Sequence, residues 1–407
     1  MIVLAGGDLV LPDRVLPSAS LFIENTRIAA LEPKAPRDVG GAEVIDARGC
    51  YVVPGFIDVH VHGVDGVDTL DEGDPIAHMA SRLPRYGVTA FCPTTVACSP
   101  AALRSVLANV GRGRSARTPD SGRVLPAHLE SNFINPEYRG AQPGECLRVP
   151  NSAQGPAKAG SYRPGEGEFS AREIFDVIAA ARPDVGIVTL APELPGGVDL
   201  IRDLVRAGHR ASIGHSGATF DEAMAAIDAG ARHATHLFNR MAPLTHRAPG
   251  IAGAVLARED VAADLICDGY HVHPAMARVA IASKGAVRIM AITDGTAGSG
   301  LNVGSTGRLG GQRIRVTESA AVLDDGTLAG STLTMDRAFK TIVTVFDLSV
   351  VDAAVLCSTT PARELGLTGF GMLAAGAVAD LVILDRGFRV VRTFIDGREI
   401  YRRGAVA

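Results

Sequence analysis

The residues best equipped for chemistry sit in a few short segments of the 407-residue chain. The first is His60-Val61-His62, directly after the apolar stretch Tyr51–Ile57. In a strand, residues i and i+2 point to the same side, so two imidazoles at a strand end can grip one cation. The same pair also reads as a polar strand end with two solvated histidines. Glu130 follows in His128-Leu129-Glu130, either as a ligand or as an ordinary surface carboxylate at a loop start. His215 ends the apolar run Ala211–Gly214, His236 stands in Ala234-Thr235-His236, and Asp294 follows Ile289–Thr293. Taken singly, each is as readily a structural polar residue as a ligand. Together they make five polar clusters, each at the end of a separate apolar run. His, Glu and Asp without Cys suit a hydrolytic Zn2+, Fe2+ or Mn2+ centre. A second H-x-H, His271-Val272-His273, follows Asp268-Gly269-Tyr270. Both pairs cannot ligate in one site of ordinary size. The first pair is assigned to metal and His271 to substrate, against the alternative of two helix-cap or loop histidines.

Strands and helices must bring these segments together. From about Tyr51 to Leu365, apolar strands such as Ala90–Pro93, Gly186–Leu190, Ala211–Gly214 and Ile289–Thr293 alternate with Ala-rich helical patterns. Those patterns include Pro100–Asn109, Ala171–Ala181, Val198–Ala207 and Asp221–Ala229. Alternation over roughly 300 residues predicts a parallel α/β architecture, and the length fits a (β/α)8 TIM-type barrel, which carries its chemistry at the C-terminal ends of its strands. Ile2–Leu4, Ser20–Ile23 and Arg27–Leu31 at one end, with Asp380–Leu384 and Val390–Ile395 at the other, are short β-rich runs. They predict a small β-sandwich domain formed by both termini, over residues 1–53 and 361–407, flanking a barrel over 54–360. The basic, turn-rich Arg112–Arg123 is expected to be a solvated loop. The Gly-, Pro- and Ala-rich 151–168 is expected to be a long connection, either mobile or a lid.

Composition removes other classes. Lys and Arg number 40 against 44 Asp and Glu, a net charge of −4. That balance argues against a nucleic-acid binder, and aromatics at 5% argue against a stacking platform. No run of 18 apolar residues is present, so no helix is expected to enter a membrane. The opening MIVLAGGDLVLPD lacks a basic region and carries Asp8, unlike a secretory signal. The six cysteines show no C-x-x-C spacing and read as reduced thiols, so a cytoplasmic protein is expected.

The stretch PGFIDVHVHG (54–63) resembles the opening motif of the amidohydrolase superfamily. HLESNFINPEYRGA (128–141), IGHSGATFDEA (213–223), THLFNRMAPLTHRAPG (235–250), ICDGYHVHP (266–274) and LAGSTLTM (328–335) resemble one branch of it, the N-acetylglucosamine-6-phosphate deacetylases. GMLAAGAVADLVILD (371–385) resembles the closing β segment. The resemblance implies one or two divalent ions per subunit, Zn2+ foremost, held by Glu130, His215 and His236, with His60 and His62 as the pair of two-metal members. A divalent ion lowers the pKa of bound water from about 15.7 to about 7. Asp294 matches the catalytic aspartate, which also stands beside the metal, takes the proton of the attacking water and returns it to the nitrogen.

In the pocket, Asn239, Arg247, His271 and the turn Leu328-Ala329-Gly330 match positions that hold the sugar and its phosphate. Arg247 in the family reaches the neighbouring subunit's site, which implies a homodimer. The chain departs from the pattern at Ser131-Asn132, at Gln142 where the family has a histidine, at Arg240 where it has a small residue, and at Ala248 where it has Glu. Gln142 and Arg240 are therefore assigned to an altered substrate pocket. The expected function is removal of the N-acetyl group from an amino sugar, foremost N-acetylglucosamine 6-phosphate. The alternatives are a paralogous deacylase of another N-acylated metabolite, and a non-catalytic protein of the same fold.

Overall fold

The computed structural model describes residues 1–34, 40–151 and 169–404. Among them, eight parallel strands form a barrel: β1 (Phe56–Val61), β2 (Val88–Thr95), β3 (Ala127–Glu130), β4 (Val185–Leu190), β5 (Arg210–Ile213), β6 (His233–Ala234), β7 (Ala262–Ile266) and β8 (Ile289–Ile292). Each pairs in parallel with the next in chain order. A bridge between Val61 and Gly295 closes the ring. There the Asp294 N–H donates to the His60 carbonyl at 2.9 Å and the His62 N–H to the Gly295 carbonyl at 2.8 Å. Every residue of β1 and β2 is buried, as expected of strands covered on both faces.

A helix follows each strand: Pro75–Arg82, Pro100–Ser115, Ala171–Ala180, Gly197–Arg206, Phe220–Asp228, Gly250–Ala257, Pro274–Lys284 and Met335–Thr344. Several begin on side-chain caps. Ser99 accepts from the Ala102 N–H ahead of Pro100, and Ser170–Glu173 and Thr219–Glu222 are reciprocal capping boxes. A cap is worth about 1 kcal/mol. The box at Thr219 starts its helix four residues after His215 and so fixes the short loop that carries it.

The termini share one sheet. Ile2–Val10 pairs with Val15–Glu24 on one side, and with Glu43–Asp46 and Tyr51–Pro54 on the other. Leu381–Leu384 lies antiparallel on Tyr51–Pro54, followed by Val390–Ile395 and Arg398–Arg402. This sheet has its own core, including Leu4, Leu21, Ile28, Leu381 and Phe394. A barrel with a β domain from both ends is the fold class that strand spacing predicts.

Two segments differ from expectation. Arg112–Arg123 is only in part a solvated loop, with Thr118, Pro119 and Asp120 exposed. The helix runs on to Ser115, Arg114 pairs with Asp184, and Arg117 and Arg123 grip Asp396 at 2.5 and 2.9 Å. Their partners lie 70 and more than 270 residues away, beyond any local reading, and they fasten barrel to β domain. After β8 comes a three-stranded sheet, Thr306–Leu309, Gln312–Val316 and Ala321–Leu323. Its strands are only three to five residues long, and it leans on the site through a Gln312 side-chain bond to the Ala141 carbonyl at 2.7 Å. The connection expected to be mobile or a lid falls, apart from Asn151, outside the described residues.

Gly55 joins the terminal sheet to β1, and a Cβ there would lie 2.3 Å from Thr89 Oγ1 and 2.8 Å from Thr89 Cβ. Gly55→Ala is expected to destabilise the fold by about 1–3 kcal/mol through overpacking. Calorimetry checks this, and an unchanged Tm would show that the seam has room.

Candidate active site

The site stands on strand ends. The two-residue period of β1 puts His60 and His62 on one side, with their Nε2 atoms 3.1 Å apart. The last residue of β3 is Glu130. Its Oε1 lies 2.7 Å from His215 Nε2, just past β5, and 2.8 Å from His236 Nε2, just past β6. Those two nitrogens are 3.1 Å from each other. Glu130 Oε2 is 3.4 Å from His62 Nε2. Asp294 Oδ1, just past β8, is 3.3 Å from His60 Nε2 and 3.2 Å from His62 Nε2. All six side chains are buried. The Glu130 carboxylate is thus shared between two donor groups, one with His215 and His236 and one with His60 and His62.

The backbone is bent to aim these groups. His215, His236, Phe238, Arg240 and Asp294 have φ of +47°, +30°, +74°, +51° and +48°. L-residues avoid this left-handed region at a cost of about 1 kcal/mol or more each. Such strain persists where packing over-determines the conformation, and here it collects at the ends of β5, β6 and β8.

The residues fit a divalent cation. The His215 Nδ1–H donates to the Tyr138 carbonyl at 2.7 Å, which leaves the Nε2 lone pair facing Glu130 and His236. Two imidazole nitrogens and a carboxylate oxygen then converge on one point, the donor set of a catalytic zinc-type site. Charge favours a cation as well. Burial works against ionising Glu130 and Asp294, yet His215, His236 and His62 hold Glu130 well below the usual carboxylate range, and His60 and His62 do so for Asp294. Burial likewise opposes charging His62, but Asp294 and Glu130 override it and push its pKa up to about 10. A dication replaces such protons.

His128, although on the same strand as Glu130, is engaged elsewhere. Its Nδ1–H donates to the Val59 carbonyl at 2.9 Å and its Nε2 accepts from the Thr189 hydroxyl at 2.8 Å. Burial, with His60 and His233 nearby, holds it neutral.

Above the donors lies a pocket of about 480 Å3. Gln142, Asn239, Arg240, His271, Leu328 and Gly330 line it, together with Tyr138 and Arg139. Gln142 spends its amide on the protein: Nε2 donates to Glu130 Oε2, and Oε1 accepts from the Ala97 N–H at 2.7 Å. Ala329 turns away into a small cluster with Val96, Leu309 and Ile314. Arg247 is exposed on a segment outside this lining. His271 faces the pocket, with Nδ1 2.6 Å from Asp268 Oδ2. Burial lowers its pKa, but Asp268 outweighs burial and raises it. Its Nε2 is buried without a partner among the described residues. His273 instead is exposed and caps the helix Pro274–Lys284 by accepting from the Ala275 N–H. The helix-cap alternative therefore describes His273 and not His271.

Sequence reasoning missed two residues. Arg139 lies inside a segment already singled out, but its pocket-facing position was not read. Glu193 accepts from Ser216 Oγ and the Gly217 N–H, both at 2.7 Å, and from Asn135 Nδ2 at 2.8 Å. It ties the loop after His215 to the loop after Glu130, and nothing in its spacing signals that.

A barrel whose strand ends gather two carboxylates and four imidazoles around one pocket defines a metal-dependent hydrolase of the amidohydrolase class, and residues 51–400 match the Amidohydrolase family. Within that class, the chain belongs to the N-acetylglucosamine-6-phosphate deacetylase family. It is 34% identical over 363 residues to the N-acetylglucosamine-6-phosphate deacetylase of Lysinibacillus sphaericus, covering 88% of this chain and 87% of that one. It is 33% identical over 386 residues to the N-acetylgalactosamine-6-phosphate deacetylase of Escherichia coli O157:H7, covering 94% and 95%. Among solved structures, a variant of the Mycobacterium smegmatis deacetylase in complex with N-acetyl-D-glucosamine-6-phosphate superposes with a TM-score of 0.85 at 32% identity, covering 98% and 99%.

His215→Ala is expected to lower the divalent metal bound by purified protein by about one ion per chain. His128→Asn should leave it unchanged. Elemental analysis of both variants checks this, and equal losses would return His128 to the ligand set.

Proposed function

We propose that this protein is a metal-dependent deacetylase that hydrolyses the N-acetyl group of an amino sugar phosphate, with N-acetylglucosamine 6-phosphate as the substrate its relatives' names favour. The observation that carries this reading is the Glu130 carboxylate shared between two donor groups, with Asp294 beside them. Glu130, His215 and His236 would hold one divalent ion, and His60 and His62 with Glu130 a second. Zn2+ suits these nitrogen and oxygen donors best, with Fe2+ or Mn2+ as possible substitutes. When bound, such an ion polarises the amide carbonyl and lowers the pKa of water.

The chain's own residues do the rest. Asp294, kept ionised by His60 and His62, takes a proton from the attacking water. It then delivers that proton to the amide nitrogen as the C–N bond breaks. His271, with Nδ1 fixed by Asp268, offers Nε2 to the carbonyl oxygen or a sugar hydroxyl. Gln142 holds Glu130 in place. Asn239 and the turn at Leu328–Gly330 bound the sugar. Arg240 has no carboxylate partner among the described residues, and its guanidinium lies across Gly140, where a Cβ would come within 2.6 Å of Nε. It is placed to meet an anionic group of the substrate.

Arg247 stands apart from its own chain's pocket, which supports a homodimer in which it serves the neighbouring site. The six unpaired cysteines are in keeping with a reducing, cytoplasmic setting. A paralogous activity on another N-acylated, anionic metabolite is favoured by one pair of observations. Gln142 is committed to Glu130, and Arg240 lines the pocket without a carboxylate partner among the described residues.

Acetate release from N-acetylglucosamine 6-phosphate, its galactosamine epimer and the unphosphorylated sugars tests the reading, and turnover of none of them would sink it. Asp294→Asn should lower kcat about 10²–10⁴-fold with the protein still folded. Activity surviving that change would remove Asp294 from proton transfer. Arg240→Ala should raise KM for the phosphorylated sugar about tenfold or more, the worth of a charge-assisted hydrogen bond. KM for the unphosphorylated sugar should be unaffected, and equal effects on both would assign Arg240 a structural role.

A further inference from the structure

At the opposite end of the barrel from Glu130, a cavity of about 680 Å3 opens among the starts of β3, β4, β5 and β6. Its lining includes Arg114, Arg123, Arg210 and Arg232 and no Asp or Glu. Each guanidinium rests on a carboxylate behind the wall: Arg114 on Asp184, Arg123 on Asp396 at 2.9 Å, Arg210 on Glu364 at 3.4 Å and Arg232 on Asp260 at 3.5 Å.

At Glu364 the carboxylate does not balance the cations it meets. Glu364 also receives Arg288 at 3.1 Å and Arg363 at 2.8 Å, so one acid faces three guanidiniums. Asp260 is shared with Arg258 at 2.9 Å, but Arg258 also holds Asp228 at 2.6 Å, so that group is balanced. Burial pulls the Arg210 pKa down, while Glu364 and Asp264 act the other way. Pairing for stability alone would match charges one to one, because uncompensated buried charge is costly. The four side chains nonetheless stay 26%, 24%, 27% and 43% exposed, in the order given. Val124, Leu125, Leu365 and Leu367 supply apolar wall between them.

We propose that this cavity is a second binding site, taking a phosphate monoester with a small organic body. Guanidinium forks suit phosphate oxygens, the apolar wall suits the body, and the volume is in the range of small-molecule sites. The site is separate from the amide-hydrolysing pocket and does not depend on what that pocket hydrolyses.

Calorimetric titration of the metal-loaded protein with glucose 6-phosphate, which has no amide, and with inorganic phosphate tests this. Arg232→Gln, Arg114→Gln and the catalytic-pocket variant Arg240→Gln are measured alongside. The expected result is a binding event that persists in Arg240→Gln and weakens about tenfold or more in Arg232→Gln and Arg114→Gln. Tighter binding of glucose 6-phosphate than of inorganic phosphate would support the organic body, and equal binding would overturn that part. Because Arg232 is the most exposed of the four, its variant decides the matter if Arg114→Gln fails to fold. Isotherms of Arg232→Gln identical to those of the native protein, or no binding of either probe, would overturn the site itself.

Discussion

A carboxylate buried at the floor of a pocket is costly to hold ionised, and Glu130 meets that cost with partners drawn from four separate stretches of chain. His62 comes from the end of β1, His215 from β5 and His236 from β6, while Gln142, itself held by the Ala97 N–H, reaches in from the loop after β3. Removing one member of such a buried charged group typically costs about 3–5 kcal/mol. The barrel must close for these strand ends to meet, so the bridge from Val61 to Gly295 is as much part of the site as of the fold. Asp294 hangs on that bridge, one residue away.

Beneath the donors the barrel interior is not filled by aliphatic layers alone. Thr189 Oγ1 meets Thr235 Oγ1 at 2.7 Å, Ser212 Oγ meets Thr235 Oγ1 at 2.6 Å, and His233 Nε2 lies 2.6 Å from Asp264 Oδ1. With His128 this makes a connected polar floor under His60 and Glu130. His233 Nδ1 and Asp264 Oδ2 find no partner among the described residues, so the network is only partly satisfied. The left-handed φ angles at His215, His236 and Asp294 stand just above it, where only a packed surround can hold three strained strand ends in register.

Most of the frame was legible in the sequence because period and length carried it. Gly186–Leu190 and Ile289–Thr293 foresaw β4 and β8 to within a residue, and the two-residue spacing of His60 and His62 correctly set both on one side. Local signals failed where long-range partners decide. The two-residue β6 is too short to show a period. Arg117 and Arg123 read as solvated until Asp396 was found beside them. Gln142 read as a substrate contact because nothing in its spacing shows Glu130 opposite it. Two H-x-H pairs look alike as text, yet strand β1 sets both imidazoles of one beside Glu130 and Asp294, while a helix start at Pro274 makes His273 a cap.

Net charge, read along the chain, says nothing about how that charge is arranged. The carboxylates of Glu130 and Asp294 sit at the floor of the pocket, while Arg139 and Arg240 line it along with them. Left to themselves, two anions at the floor would repel a phosphorylated substrate; protons on the histidines or a dication among them must offset that field before any phosphate can enter. Once it is offset, under the proposed function the remaining asymmetry would orient an anionic amide with its neutral amide end toward the floor and its charged end toward Arg240. Gly140 is what permits this, since its missing side chain leaves the space in which the Arg240 guanidinium lies. Arg240, a departure from the family pattern, and Gly140 are therefore two halves of one contact.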